Sequence, residues 1–289
     1  MAQQNWETDG AATVNLNDGT GYSNLNPSSG TVGPGDNFEI QDTEELTFTG
    51  DFADPSAVIT SIGNITVENT GSAVGSVSFN LTNTDLINFL TVNNIIQGTD
   101  DTIDVTIING HVNIGTIDAN NVTNDGILTV GGGMMNSLDN TSGTLDVIGN
   151  TAITAAFTNG GIVNIADGQR LTLTVGSTIA TLGGAGDLVS TNTAITVTDT
   201  ATGGFNGSID TGSGALTLTE GVFNGSLNAE GAVTITGSGI TGVSLNAANI
   251  FNGTVTISAG GTVNLGHDDA LDGTGTVTLS NNAWACQTP

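Results

Sequence analysis

The sequence predicts an all-β fold, a single-stranded parallel β-helix (β-solenoid) of about twelve coils with an irregular N-terminal cap or arm. Three observations predict it. Aliphatic residues alternate with Thr, Ser or Asn, which is the two-residue period of a half-buried strand. These strand units return about every twenty residues, and a repeat of that length is typical of solenoids. The chain has 43 glycines and four prolines, a composition that suits many tight turns.

The clearest repeats lie in the segment 214–279. Aliphatic pairs flanked by Thr or Ser recur there at unequal spacing, the first interval being shorter than the next two, and they are Leu216/Leu218, Val233/Ile235, Val255/Ile257 and Val277/Leu279. A second set runs out of phase with the first and comprises Leu227, Val243/Leu245 and Val263/Leu265. The tripeptide Phe-Asn-Gly, followed by Ser or Thr, occurs at Phe205, Phe223 and Phe251 and indicates a repeated corner.

Taken in order, residues 1–36 are rich in Asn, Gly, Ser and Pro and predict an irregular cap or an extended arm. A cap would cover the first strand edge, whereas an arm could add a strand to a neighbouring copy. Residues 37–289 show no linker and predict one β-solenoid domain. Residues 86–96, the most apolar stretch, are expected to be mostly strand. Before residue 214 the other predicted strands are 46–48, 65–67, 77–79, 103–107, 128–130, 145–147, 163–165, 171–175 and 195–197.

The FNG corners, the TVTI and ALTLT strands and the GGTVNLG turn carry a resemblance. Over roughly residues 58–280 the chain resembles the passenger repeats of bacterial autotransporter adhesins and related secreted β-helix surface proteins. The resemblance implies a right-handed parallel β-helix at a cell surface, and it assigns no functional residue.

The charge balance excludes several classes of partner. The chain has 28 acidic residues and no lysine, and Arg170 is its only arginine, so its formal net charge is −27 with histidine neutral. Nucleic acid is not expected as a partner, because little positive charge is present to neutralise phosphates. Anionic membrane surfaces are disfavoured for the same reason, and no apolar run is long enough for a transmembrane helix. Copies that pack together need cations to screen their carboxylates; the alternative is that the charge provides solubility in a salty medium.

Two acidic loops are candidate calcium sites, since calcium takes six to eight oxygen ligands from carboxylates, carbonyls and water. One contains Asp268, Asp269 and Asp272 in a segment that also holds His267. The other contains Asp100, Asp101 and Asp104. Neither matches the spacing of an EF-hand loop, so the alternative for each is a solvated turn. Calcium is the one cofactor that the sequence suggests.

No catalytic constellation is evident in the sequence. Paired carboxylates could serve glycoside cleavage, but basic residues to hold an acidic sugar and aromatic platforms for a neutral one are scarce. His111 is expected to be outward-facing or hydrogen-bonded rather than a metal ligand. Cys286 is the only cysteine of the chain, which excludes an intrachain disulfide. It either packs near the last coil or crosslinks two subunits. The N-terminal residues do not match a signal peptide, which leaves a processed chain, export without a signal or a virion protein.

These observations favour a non-enzymatic extracellular structural protein at the cell surface. In this hypothesis a β-helical subunit self-assembles into a surface layer, filament or adhesive coat. The alternative is a binding module, either a phage or virion fibre or decoration protein, or a fragment of an adhesin that recognises glycans or a host surface. Ice binding is a further alternative, because outward Thr pairs on a flat face can order water. The unequal coil lengths argue against the long flat array that ice binding needs.

Overall fold

The structure is a computed structural model. It describes residues 4–16, 25–26, 32, 34–41, 44–50, 59, 61–68, 74–81, 90–97, 102–236, 242–258, 262–280 and 284–287. Every regular element in these ranges is a β-strand. The chain divides into two compact units, Met1–Leu145 and Asp146–Pro289. Among the described residues no helix has the length and apolar character needed to cross a membrane.

The first unit contains twelve strands and the start of a thirteenth within its described residues. They are β1 (Asn5–Thr8), β2 (Ala12–Asn15), β3 (Leu25–Asn26), β4 (Asn37–Gln41), β5 (Glu45–Gly50), β6 (Ser61–Glu68), β7 (Val74–Leu81), β8 (Leu90–Ile96), β9 (Thr102–Asn109), β10 (His111–Asn124), β11 (Ile127–Val130), β12 (Gly133–Asn140) and β13 (Thr144–Val147). Successive coils pair in parallel, in the orders β1–β4–β6–β8–β10 and β2–β5–β7–β9–β10.

The second unit continues the pattern with shorter strands. They are β14 (Thr151–Asn159), β15 (Ile162–Ile165), β16 (Arg170–Leu173), β17 (Ser177–Gly184), β18 (Asp187–Ser190), β19 (Ile195–Thr200), β20 (Ile209–Asp210), β21 (Leu216–Leu218), β22 (Gly221–Phe223), β23 (Leu227–Ala229), β24 (Val233–Ile235), β25 (Val243–Leu245), β26 (Ile250–Phe251), β27 (Val255–Ile257), β28 (Thr262–Leu265), β29 (Val277–Leu279) and β30 (Trp284–Gln287). Three parallel series run through it: β14–β17–β19–β21–β24–β27–β29, β16–β18–β20–β23–β26 and β22–β25–β28–β30.

These pairings confirm the predicted all-β parallel β-solenoid with an irregular N-terminal region. It has about nine turns rather than the twelve expected from the repeat spacing. The N-terminal coils are longer than the predicted repeat, which explains the smaller number of turns. Hydrogen bonds between adjacent coils join Asn37 to Asn5, Asn64 to Asn37 and Asn94 to Asn64, which are 32, 27 and 30 residues apart.

The irregular N-terminal region combines parallel and antiparallel pairing. β1 and β2 pair in parallel with β4 and β5, and β3 pairs antiparallel with β1. Trp6 of β1 is fully buried, and its indole Nε1 donates to Asp36 Oδ2 at 2.9 Å. The backbone N–H of Gln4 donates to the other carboxylate oxygen, also at 2.9 Å. The two functions proposed for residues 1–36, cap or arm, and the domain boundary at residue 37 stay predictions.

The core consists of side chains that repeat at the same register in successive coils. In the first unit Phe48 stacks on Phe79 with ring centroids 5.5 Å apart, and Phe38 meets Phe48 edge-on at 5.0 Å. In the second unit the predicted aliphatic pairs align in two columns. One column is Ile195, Leu216, Val233, Val255 and Val277, and the other is Val197, Leu218, Ile235, Ile257 and Leu279.

Two details of the predicted repeat are wrong. Leu227 pairs with Ile209 in the β20–β23 series, whereas Val243 and Leu245 belong to the separate β22–β25–β28 series. The corners at Phe205 and Phe223 face each other across adjacent coils, but Phe251 aligns with Ala229. The corners after Phe223 differ in length, so equal tripeptides come to occupy different positions on the coil.

Candidate functional site

The loop from His267 to Asp272 connects β28 to β29, and its side chains are largely exposed apart from that of Ala270. Its carbonyl groups already accept backbone hydrogen bonds. The oxygen of Asp269 accepts from the Asn249 N–H at 3.0 Å, and that of Asp272 accepts from the Phe251 N–H at 2.8 Å. The carboxylate of Asp272 accepts from the Gly273 N–H at 2.7 Å. The two carbonyl contacts fix the loop against the preceding coil.

Within the described ranges no group of three or more Asp, Glu, His or Cys side chains is placed to hold a metal ion. Calcium binding by Asp268, Asp269 and Asp272 stays a prediction. In the second acidic cluster Asp100 and Asp101 lie outside the described residues. Asp104 lies in β9, where its Oδ1 accepts from Asn120 Nδ2 at 3.1 Å, from the Asn121 N–H at 3.1 Å and from Asn121 Nδ2 at 3.0 Å. Asp104 thus joins two coils through hydrogen bonds.

Amide side chains form ladders along the solenoid in the same way. Asn224 Nδ2 donates to Asn206 Oδ1 at 2.9 Å, and Asn246 Nδ2 donates to Asn224 Oδ1 at 2.8 Å. Because Asn206 and Asn224 belong to the Phe-Asn-Gly corners, these hydrogen bonds give the recurring tripeptide a structural use.

His111 and Arg170 also make contacts between adjacent coils. His111 is 8% exposed, and its Nε2 lies 2.8 Å from Thr129 Oγ1 on the adjacent coil. Of the two alternatives given for this histidine, the hydrogen-bonded one is confirmed. Arg170 Nη2 lies 3.4 Å from Asp187 Oδ2. Both side chains are about half exposed to solvent, so this ion pair contributes little to stability.

Threonines form a continuous row on the second unit, which we call the threonine column. Six successive parallel pairings place its members in register, and they are Thr158, Thr178, Thr196, Thr217, Thr234, Thr256 and Thr278. The threonines stay in register although the coils differ in length; the expectation about a long flat array for ice binding stays a prediction. The residues two positions before and after each member are all Gly, Ala, Ser or Thr.

An open groove of about 470 Å³ adjoins one part of the threonine column. Its lining includes Thr158, Thr178 and Thr196, together with Phe157 and Asn159. Asn159 is 8% exposed, and neither its Nδ2 nor its Oδ1 has a hydrogen-bond partner among the described residues. Alternation predicted Thr196 in the strand 195–197, whereas Thr158 and Thr178 lie in β14 and β17, which the sequence pattern did not predict. It could not predict the groove, which depends on the alignment of three coils.

The described residues therefore form an uncharged groove, a long row of hydroxyl groups and, at residues 267–272, an acidic loop held by hydrogen bonds. The β-solenoid implied by the resemblance to autotransporter adhesins is present. Comparison with protein families, with curated proteins and with solved structures found no match to this chain.

Proposed function

We propose that this chain is a non-enzymatic structural subunit that self-assembles end to end at a cell surface. One observation carries the proposal. In β29 the side chains of Val277 and Leu279 are 43% and 56% exposed, although they continue two columns whose preceding members, Val255 and Ile257, are buried. An aliphatic pair that is inward-facing in one coil is therefore uncovered in the next.

Such a strand offers two kinds of interaction to a second copy. Within the described residues β29 pairs with β27 on one side, and the N–H and C=O groups of the other edge can accept another strand. Covering Val277 and Leu279 would also remove apolar surface from water. Burial of a Val or Leu side chain stabilises a complex by roughly 1.5–3 kcal/mol.

Charge opposes this association unless cations are present. Two copies with a formal charge of −27 each repel one another, and the repulsion weakens as the screening length falls from about 30 Å at 0.01 M salt to about 10 Å at 0.1 M. We therefore expect assembly to require salt, with calcium more effective than sodium if the acidic loops bind it.

The test replaces the uncovered pair by lysine. Wild-type protein should form polymers in calcium or sodium chloride, as seen by light scattering and electron microscopy, and the double variant Val277→Lys/Leu279→Lys should remain monomeric. Ile148→Lys is the matched control, because Ile148 is a 48% exposed aliphatic residue elsewhere on the second unit, and it should assemble normally. A wild-type chain that stays monomeric under all these conditions would contradict the proposal. Ordered polymers at low salt without calcium would contradict the role of cations.

Location provides a separate test that distinguishes the proposed cell surface from the alternative of a virion. A structural subunit of a surface layer should fractionate with purified cells, and a fibre or decoration protein should fractionate with purified virions. Immunogold labelling of both preparations distinguishes them, and labelling confined to the cytosol would contradict both.

A further inference from the structure

We propose that the pair Asn252-Gly253 is a modification site, at which spontaneous deamidation converts the asparagine into aspartate or isoaspartate. Asparagine is one of the thermolabile residues of proteins. A following glycine favours the reaction, because it has no side chain to obstruct ring closure by its backbone nitrogen. The chain contains five Asn-Gly pairs, which begin at Asn109, Asn159, Asn206, Asn224 and Asn252.

Solvent exposure distinguishes Asn252-Gly253 from three of the other pairs. Asn252 is exposed and Gly253 is partly exposed. Asn159 is buried, and the glycines that follow Asn109 and Asn206 are buried, so solvent base has little access to those pairs. The pair Asn224-Gly225 is partly exposed at both residues and is therefore the closest comparison.

The side chain of Asn252 is held at its oxygen alone. Its Oδ1 accepts from the Thr274 N–H at 3.4 Å and from Thr274 Oγ1 at 3.2 Å. Among the described residues its Nδ2 has no hydrogen-bond partner, and neither has the Gly253 N–H. Donors directed at an oxygen that becomes negatively charged stabilise a tetrahedral intermediate. The carbonyl is therefore activated, while the attacking and the leaving nitrogen are both free to react.

Asn224 lies in the same tripeptide, but its side chain is held at both ends. Its Nδ2 donates to the Gly203 carbonyl at 3.1 Å and to Asn206 Oδ1 at 2.9 Å, and its Oδ1 accepts from Asn246 Nδ2 at 2.8 Å. Loss of the amide nitrogen from Asn224 would break two hydrogen bonds, whereas its loss from Asn252 breaks none that the described residues make. Asn252 should therefore react faster.

The reaction consumes one water molecule and releases one ammonia molecule, with no change of oxidation state. Solvent base removes the Gly253 N–H proton, and the nitrogen forms a bond to Cγ of Asn252. The bond from Cγ to Nδ2 then breaks, and the side-chain nitrogen leaves as ammonia after taking up a proton. Water opens the resulting succinimide at one of its two carbonyl carbons, which gives aspartate or isoaspartate and adds one negative charge.

The two products have different consequences for the coil. Aspartate at position 252 can still accept from Thr274, so Asn252→Asp should melt close to wild type. Isoaspartate places an additional carbon in the main chain before Gly253, where a Cβ atom would already overlap the carbonyl oxygen of Gly231 on the adjacent coil. We therefore expect the isoaspartate form to melt at a lower temperature than Asn252→Asp.

The experiment incubates the full-length protein at mildly alkaline pH and follows all five pairs by mass spectrometry of peptic peptides, with fragmentation that separates isoaspartate from aspartate. In the folded protein Asn252 should react fastest, and at least about fivefold faster than Asn224, the factor expected for one hydrogen bond. In urea the two rates should become equal, because both asparagines lie in a Phe-Asn-Gly tripeptide.

Two variants test the hydrogen bonds, once thermal unfolding has shown that both are folded. Thr274→Val removes a donor from an exposed residue and should slow the reaction at Asn252 alone. Asn206→Ala removes an acceptor of the Asn224 amide and should speed the reaction at Asn224 alone. The proposal is overturned if Asn252 stays intact, if Asn224 reacts as fast as Asn252 in the folded protein, or if neither variant changes the rate at its own site.

Discussion

At the scale of single residues, glycines stack where successive coils come closest together. A Cβ atom at Gly231, Gly253 or Gly275 would lie less than 3.0 Å from the carbonyl oxygen of Gly214, Gly231 or Gly253, respectively. These three positions are needed for close approach of two backbones, because none of them has a positive φ. Gly203 is a different case, because its φ is 94° and no atom lies within 4 Å of the place that a Cβ atom would occupy.

The two kinds of glycine predict different costs on substitution. Gly253→Ala should lower the free energy of unfolding by about 3 kcal/mol, because the methyl group forces the coils apart. Gly203→Ala should cost roughly 1–2 kcal/mol, the strain of a left-handed conformation alone. Urea denaturation of both variants measures the difference, and equal losses would contradict a clash between coils.

A second comparison at this scale concerns two asparagines three positions apart. Asn249 is buried and its side chain makes three hydrogen bonds to backbone groups, at 2.8, 3.0 and 2.8 Å. Asn246 is exposed and donates to Asn224. We expect Asn249→Ala to lower the unfolding free energy by about 3 kcal/mol and Asn246→Ala by less than about 1 kcal/mol. If thermal unfolding ranks them in the opposite order, the buried hydrogen bonds are not what stabilises this corner.

At the scale of elements, each three-residue strand divides its side chains between core and surface. In β27 the side chains of Val255 and Ile257 are buried, and Thr256 between them belongs to the threonine column. Val255 also lies in register with Val233 on one side and Val277 on the other. A change at an inward position therefore affects three coils, whereas a change at the outward position affects the surface of one.

This division predicts opposite tolerance to a charge at adjacent residues. Val255→Asp should destabilise the second unit by more than about 4 kcal/mol, because it buries an unpaired carboxylate and loses aliphatic packing. Thr256→Asp adds the same charge at the surface and should cost less than about 1 kcal/mol. Circular dichroism melting of the two variants provides the measurement; a wild-type transition for Val255→Asp would contradict the observed register.

At the scale of the whole molecule, net charge is the dominant electrostatic property. The chain has 28 acidic residues, and Arg170 is the only Lys or Arg that opposes them. Its ion pair with Asp187 is exposed to solvent. Repulsion among these carboxylates opposes the compact state. Folding therefore depends on uncharged ladders and aliphatic columns, and stability should respond to ionic strength.

We expect the melting temperature to rise as sodium chloride increases from about 0.01 M to 0.3 M, because the screening length falls from about 30 Å to below 10 Å. In a chain of this size each 1 kcal/mol of stabilisation raises the melting temperature by roughly 2–4 °C. Differential scanning calorimetry over a salt series checks this, and a melting temperature independent of salt would contradict it.

Calcium at matched ionic strength separates screening from specific binding. Binding to the loop of Asp268, Asp269 and Asp272 should raise the melting temperature further than sodium does, and Asn substitutions at all three positions should abolish that additional rise. The same increment in the triple variant would exclude this loop as the calcium site.

Local patterns in the sequence were enough to predict many individual strands and the direction of their side chains. Two-residue alternation predicted many of the strands and their inward aliphatic residues such as Val255, because the direction of a side chain on a strand depends on its immediate neighbours. It did not predict β10, β12, β14 or β17. Composition likewise fixes the net charge. Residues 86–96 were expected to be mostly strand. The structure has a strand at Leu90–Ile96, and residues 86–89 lie outside the described ranges.

Outside the aliphatic pairs that recur from Leu216 to Leu279, the alignment of neighbouring coils became apparent only in three dimensions. Tertiary packing paired Leu227 with Ile209, aligned Phe251 with Ala229, joined Asp104 to Asn120 and brought Thr158, Thr178 and Thr196 to one groove. These contacts join residues that are a full coil apart in the chain, across corners of unequal length. Their register depends on how backbones and side chains pack between coils, and no local pattern in the sequence encodes it.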